Sequence, residues 1–423
     1  RPGRSDPGKE KTMPIDPVPS TIRALLADTR IQAALDYLKD DHDRTIAELK
    51  EMVLVHGAPH TEPEVRSPMY RDKLARYGLE DCFIDEVGNA FGYVRGAGAR
   101  PKILAEAHLD TVFPADTPLA VQEKDGVLHC PGIADDTAAL AAQLSIIRAI
   151  RHAGLVPCGT FMMGGTVGEE APGEARGVRA LMASQTDLDA YLALEGGHMF
   201  DIIPGAVACK RQEIIVTGPG GHSWSDFGLA SPINALGRAI ARIADLHPVA
   251  SPKTTYNVGL VSGGTSVNAI AHEARMHVDI RSTDTAERNK LEALIMDQIR
   301  LAVDEENAAH PGAPLHLANR PYGDKPGGEM PADHLIVRAA LAATEAVGIH
   351  AELLPPASTN ANFPISAGIP ALCLNISGKC ANIHSLEEWY DPTDSYLGAQ
   401  ETLLLLFALG GLAGVTEPLL GAR

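Results

Sequence analysis

Two histidines and a set of carboxylates lie in five short segments of the 423-residue chain. His108-Leu109-Asp110 follows an apolar run, Lys102–Ala107 (KILAEA). A histidine with a carboxylate two residues on can be a metal ligand whose ring the acid orients. Gly132-Ile133-Ala134-Asp135-Asp136-Thr137 puts two acids between a glycine turn and an apolar helix pattern. A doubled aspartate concentrates charge that a cation would neutralise, although an aspartate at a helix start is commonly only a cap. Gly168-Glu169-Glu170 follows a second apolar run, Thr160–Val167. Adjacent carboxylates at a strand end point in different directions, so one can bind a metal while the other serves as a general base. Glu195 closes the run Ala190–Leu194 before two glycines, and His384 stands in Asn382-Ile383-His384-Ser385. Taken singly, each segment also reads as a cap, a solvated loop or a structural histidine. Taken together, they supply mixed histidine and carboxylate ligation of the kind that suits Zn²⁺ or Mn²⁺. A shared aspartate could bridge two ions about 3.5–4 Å apart.

Such residues can converge only if the elements carrying them lie side by side. Apolar runs of strand length at 102–107, 160–167 and 190–194 alternate with helix patterns, of which Thr137–His152 is the clearest. That alternation predicts an α/β fold: a mostly parallel sheet with helices on both faces and the site at the strand ends. A helical pattern also runs from Thr21 to Val55. From residue 207 the style changes. Lys210–Thr217 alternates like a half-exposed strand, and a glycine-rich turn and a helix over Pro232–Leu246 follow. Strand patterns at Thr254–Val261 and Ala274–Arg281 and a helix over Ala286–Asn307 complete a small α+β unit. The α/β style then returns with a helix at Asp333–Val347 and strands at Glu352–Leu354 and Ala371–Asn375. The expected organisation is a catalytic α/β domain in two parts, 1–206 and 319–423, interrupted by an inserted domain at 207–318.

Composition removes other function classes. With 36 Lys+Arg against 54 Asp+Glu, the formal charge of −18 repels phosphate backbones, and aromatics at 4% give few platforms for base stacking. No nucleic-acid partner is expected. The apolar tail Leu403–Val415 is too short to cross a bilayer and reads as a buried C-terminal helix. Residues 1–19 have no apolar core of a signal peptide, and the six cysteines form no CxxC. A reducing, cytoplasmic setting without membrane contact is the expectation.

The ordered segments HLDTV, GIADDT, GEE, LEGG, GGHSW, NAIA, DIR and IHSLEEW resemble the co-catalytic metallopeptidase family. That family includes peptidase T, carboxypeptidase G, aminoacylase and succinyl-diaminopimelate desuccinylase. The resemblance covers about residues 100 to 390, with the insert where that family keeps its lid and dimerisation domain. It implies two divalent metal ions per chain, zinc first, with manganese or cobalt as alternatives. His108, Asp135 and Glu195 would bind one; His384, Glu170 and the bridging Asp135 would bind the other. Asp110 would orient His108, and Glu169 would be the general base serving a metal-bridging hydroxide. His222, in Gly220-Gly221-His222-Ser223-Trp224, would reach the site of a second copy and steady the oxyanion, which implies a homodimer formed through the insert. Asn268 and Arg281 would hold the carboxylate or carbonyl of a short peptide or N-acyl amino acid. An amidine, carbamoyl or activated aryl amine substrate releasing ammonia is the alternative. Thr137, Ala171-Pro172 and Asn360 depart from the family pattern, where Lys, Gly and Asp are frequent. These departures touch the rim of the site and so the choice of substrate. His56, His60, His129 and His198 have no matching role.

Overall fold

The computed structural model describes residues 16–170, 174–197 and 199–421. Its main sheet has eight strands, in the spatial order Glu80–Ile84, Ala90–Val94, Thr160–Thr166, Lys102–His108, Ala190–Glu195, Ala371–Asn375, Asp201–Ile203, Glu352–Leu353. The four central strands run parallel to one another. Their side chains are apolar on both faces, as burial on both sides requires. Ile103, Ala105, Leu192 and Leu374 pack with the helices Thr137–His152 and Tyr396–Gly410 on one face. Leu104, Tyr191 and Cys373 pack with Val178 and Leu181 of helix Arg176–Ser184 on the other. The α/β reading with helices on both faces therefore holds. The antiparallel strands Glu80–Ile84 and Ala90–Val94 on one edge escaped it.

Two helical expectations are corrected. The pattern over Thr21–Val55 is three helices, Pro17–Ala27, Thr29–Asp40 and His42–Val53. Asp28 divides the first two by accepting from the amide of Arg30 at 2.8 Å, the ordinary N-cap bond. The C-terminal helix spans Tyr396–Gly410 rather than 403–415. It stops at Gly411, whose φ of 73° is a conformation glycine adopts without strain. No helix among the described residues is long and apolar enough to cross a membrane. All six cysteines are free.

A second sheet has the order Thr254–Gly263, Glu273–Ser282, Ala208–Thr217, His316–Lys325. Its last strand carries the sheet to Lys325, beyond residue 318. One face packs on the helices Pro232–Ala244 and Thr285–Ala309 through Ile214, Met276, Val278 and Ile280. Burial alternates residue by residue along Glu273–Ser282, so the opposite face carries Arg275, His277, Asp279 and Arg281.

A third, four-stranded sheet pairs Lys379–Ala381, Trp389–Asp391, Val127–His129 and Gln122–Lys124. Its first two strands flank the loop that carries His384. The helix behind the two aspartates is fixed by Arg148, which bonds Asp41 at 2.8 Å and Glu48 at 2.6 Å in a buried cluster.

Candidate metal centre

His108 and Glu195 are the last residues of neighbouring parallel strands. Glu169 and Glu170 follow the strand on the other side of His108. Asp135 and Asp136 come just before helix Thr137–His152. The site thus forms where an open α/β sheet generally places one, beyond the carboxyl ends of its strands.

Asp135 is the centre of the cluster. Its Oδ1 lies 2.8 Å from His108 Nε2, and its Oδ2 lies 3.0 Å from His384 Nε2. Glu170 Oε1 is 2.6 Å from the same nitrogen of His384, and Glu195 Oε2 is 3.6 Å from His108 Nε2. All five expected ligands therefore meet. The donor atoms of His108, Asp135 and Glu170 lie within 4.8 Å of one another, as do those of His108, Asp136 and Glu195.

The chemistry of this donor set fits divalent cations. His108 Nδ1 lies 2.9 Å from the main-chain oxygen of Asp110, so that nitrogen carries a proton. When the ring is neutral, the bare lone pair of Nε2 faces two carboxylates, acceptor against acceptor. Positive charge is needed between them. Burial pushes the carboxyls of Glu170, Glu195 and Asp136 up, and neighbouring acids add to the effect. Burial opposes charge on His108, yet the negative charges of Asp136 and Asp135 outweigh it and raise its pKa. Hydrogen bonds with Asp135 and Glu170 raise His384 to about 10. Each shift follows from burial and from the crowding of acids and rings in one site.

The supporting residues modify the sequence reading. Asp110 does meet His108, but through its main chain; its carboxylate is 3.6 Å from the ring. The carboxylate instead accepts the amides of Glu169 at 3.0 Å and Glu170 at 2.9 Å, and so aims both glutamates. Asp136 is not a side-chain cap. Its oxygens accept from His108 N at 2.8 Å and Gly196 N at 2.7 Å, tying two strand ends to the helix start. Gly196 permits this approach, because a Cβ there would collide with the main-chain oxygen of Ala134. Glu388 passed unnoticed inside the IHSLEEW segment. It is fully buried and accepts from the amides of Gly132, Ala134 and Asp135 at 2.9, 2.8 and 3.1 Å. Burial pushes its carboxyl up to about 7 despite these bonds. Glu388→Gln is expected to cost about 1–3 kcal/mol, since an amide replaces one acceptor with a donor facing a backbone N–H. Because the turn holds Asp135, metal affinity should fall about 10- to 100-fold. A thermal melt and a zinc titration of the variant check both.

Lys325 was also missed. Its Nζ bonds Glu169 Oε1 at 2.7 Å and the Glu169 carbonyl at 3.3 Å, so the second sheet reaches the paired glutamates through its last strand. Among the described residues Glu169 makes no hydrogen bond or ion pair with a histidine of the cluster. Beneath the site, buried Glu106 accepts from Thr166 at 2.6 Å, Tyr191 at 2.8 Å and Asn360 at 3.3 Å, and burial pushes it up to about 7. Asn360 departs from the family pattern intelligibly, since an aspartate there would set a second acid against Glu106. Thr137 closes the aspartate turn onto Gly132 O at 2.6 Å. Ala171, Pro172 and His198 lie outside the described residues.

The remaining expected site residues lie on the second sheet and its appendages. His222 and Asn268 are neighbours: His222 pairs with Ala269, and Ser223 N bonds Asn268 O at 3.0 Å. Both are exposed, and no contact among the described residues joins either to the metal cluster of the same chain. Arg281 bonds Asp279 through Nε at 2.7 Å. His56, His60 and His129 take no part in the cluster.

A parallel sheet with histidines and carboxylates at its carboxyl edge, and a second sheet reaching them, is the scaffold of the metallopeptidase family that the sequence resembles. Residues 104–408 match peptidase family M20/M25/M40, and the chain belongs to that family. It is 27% identical over 360 residues to the uncharacterized protein YqjE of Bacillus subtilis, covering 82% of this chain and 92% of that one. It is 27% identical over 238 residues to a probable carboxypeptidase of Aspergillus terreus, covering 52% of this chain and about half, 53%, of that relative's length. A tripeptidase from Staphylococcus aureus shares the fold, with a TM-score of 0.73 at 23% identity over 86% of this chain and 97% of that one.

Proposed function

We propose that the chain is a metal-dependent hydrolase of an amide or peptide C–N bond in a small carboxylate-bearing substrate, such as a short peptide or N-acyl amino acid. The observation that carries this reading is Asp135, which offers one oxygen to each of two histidines while Glu169 stands beside the ligand Glu170 and outside the donor set. His108, Asp135 and Glu195 would hold one cation and His384, Asp135 and Glu170 the other, with zinc first and manganese or cobalt as alternatives. Bound there, such ions polarise a carbonyl and acidify water. Glu169 takes the proton from the attacking water and passes it to the leaving nitrogen. Arg281 and Asn268 hold the substrate carboxylate or carbonyl, Arg281 by its fork. Amine release from short peptides or N-acyl amino acids should vanish with chelator and return with zinc. Chelator-insensitive turnover, or none on any amide, would overturn the reading.

The insert, 207–318, is read as lid and dimerisation domain. Its edge strand exposes Leu260 and Val261, and its loops expose Trp224, Phe227 and Val267. An apolar groove of about 290 Å³ between that strand and helix Pro232–Ala244 runs alongside. Covering this surface with a second copy would bring His222 of the partner subunit to the cleft. Leu260→Asp combined with Val261→Asp is expected to give monomers in sedimentation and to abolish turnover. A fully active monomer would rule out the trans role of His222.

A further inference from the structure

We propose that Arg211 is a second anion-binding residue, which selects substrates bearing an acidic side chain next to the carboxylate assigned to Arg281. This rests on the function proposed above and specifies its substrate class. In the second sheet Arg211 pairs with Asp279, and Cys209 with Arg281. Directly opposed residues of an antiparallel pair share a face, so Arg211 and Arg281 are diagonal neighbours on the side away from the helices. Asp279 holds both: its Oδ1 accepts Nε of Arg211 at 3.2 Å, and its Oδ2 accepts Nε of Arg281 at 2.7 Å. Each guanidinium is thus gripped at Nε, and the terminal nitrogens of both forks receive no partner from the described residues. One carboxylate orients two cations and leaves a net positive charge on this face.

Arg211 faces the right space. It lines a cavity of about 380 Å³ whose wall also includes Glu169, Glu170, His384 and Lys325. The other charges of that wall are largely matched. Lys325 pairs with Glu169 at 2.7 Å, His384 with Glu170 at 2.6 Å, and Asp324 with Lys210 and Arg288 at 2.7 and 2.6 Å. Glu174 remains on the exposed rim. In a chain of formal charge −18, the Arg211 fork on the cavity wall, with the Arg281 fork next to it across Asp279, forms a local exception. They suit two carboxylates on one short residue, as in a peptide or N-acyl compound ending in glutamate or aspartate. Planar forks bind such groups through paired hydrogen bonds.

The test compares N-acetylglutamate with N-acetylglutamine, and alanylglutamate with alanylglutamine, on the metal-loaded enzyme. The acidic member of each pair should have the higher kcat/KM by about 10- to 100-fold, the range expected of a hydrogen-bonded charge. In Arg211→Met that ratio should collapse to about twofold or less. Calorimetry of free glutamate and glutamine on the same proteins reads the preference without turnover. Glutamate should bind the parent protein at least about tenfold tighter than glutamine, and Arg211→Met should erase the difference. Hydrolysis without acidic preference, or a ratio unmoved by Arg211→Met, overturns the proposal while leaving the hydrolase reading intact. Tighter glutamate binding that depends on Arg211, with no amide hydrolysed, upholds the site and overturns the hydrolase reading. No difference between the two amino acids, with no hydrolysis, overturns both.

Discussion

Glu169→Gln is expected to lower kcat about 10²- to 10⁴-fold, the contribution typical of a general acid–base residue, while the metal content per chain stays unchanged. The substitution is nearly isosteric. The main-chain amide of residue 169 keeps its bond to Asp110, and the amide oxygen of glutamine can still accept from Lys325. What disappears is the capacity to take and return a proton. Lys325 occupies Oε1 of Glu169, whereas Oε2 accepts no bond from the described residues. Steady-state kinetics with elemental analysis of the same preparation separates the outcomes. Turnover within tenfold of the parent would remove Glu169 from its role; loss of metal would make it a ligand instead.

Asp135→Ala is expected to empty both cation positions at once and to lower turnover by more than about 10³-fold, since cations of this kind contribute several kcal/mol to a polarised transition state. Asp135 is nearly buried, which alone would raise its pKa. The rings of His108 and His384 against its two oxygens override burial and hold the carboxyl well below the usual carboxylate range. Among the described residues no other side chain has one oxygen on each histidine. Glu195→Ala, by contrast, should lower affinity at one position only. Metal titration of the two variants tests the difference: two sites lost for Asp135, one for Glu195. Equal losses would show that Asp135 does not bridge.

Much of this site was legible because ligand type and local setting are short-range properties. An apolar run that ends in His108 or Glu195 can be seen within ten residues, and so can Glu169 and Glu170 after Thr160–Val167. The second sheet was legible in part, because Glu273–Ser282 alternates strictly, with one face on helices and the other exposed. Its fourth strand, His316–Lys325, went unseen because Pro321 and glycine interrupt the pattern and most of its residues are exposed. The edge strand Glu80–Ile84 was missed for a similar reason, since exposure blurs its periodicity.

Donor chemistry, the strand ends that carry it and the family of the chain follow from residues close together along the backbone. Tertiary structure alone decided who serves whom. Asp110 aims the two glutamates across 59 and 60 residues, Glu388 cradles the aspartate turn from 256 residues away, and His384 reaches Asp135 across 249. The physical reason lies in range. Strand and helix patterns follow from side chains a few positions apart, whereas a buried carboxylate takes its partners from whatever backbone amides and rings packing brings within 3 Å. That choice follows from the order of strands in the sheet, which no local pattern encodes.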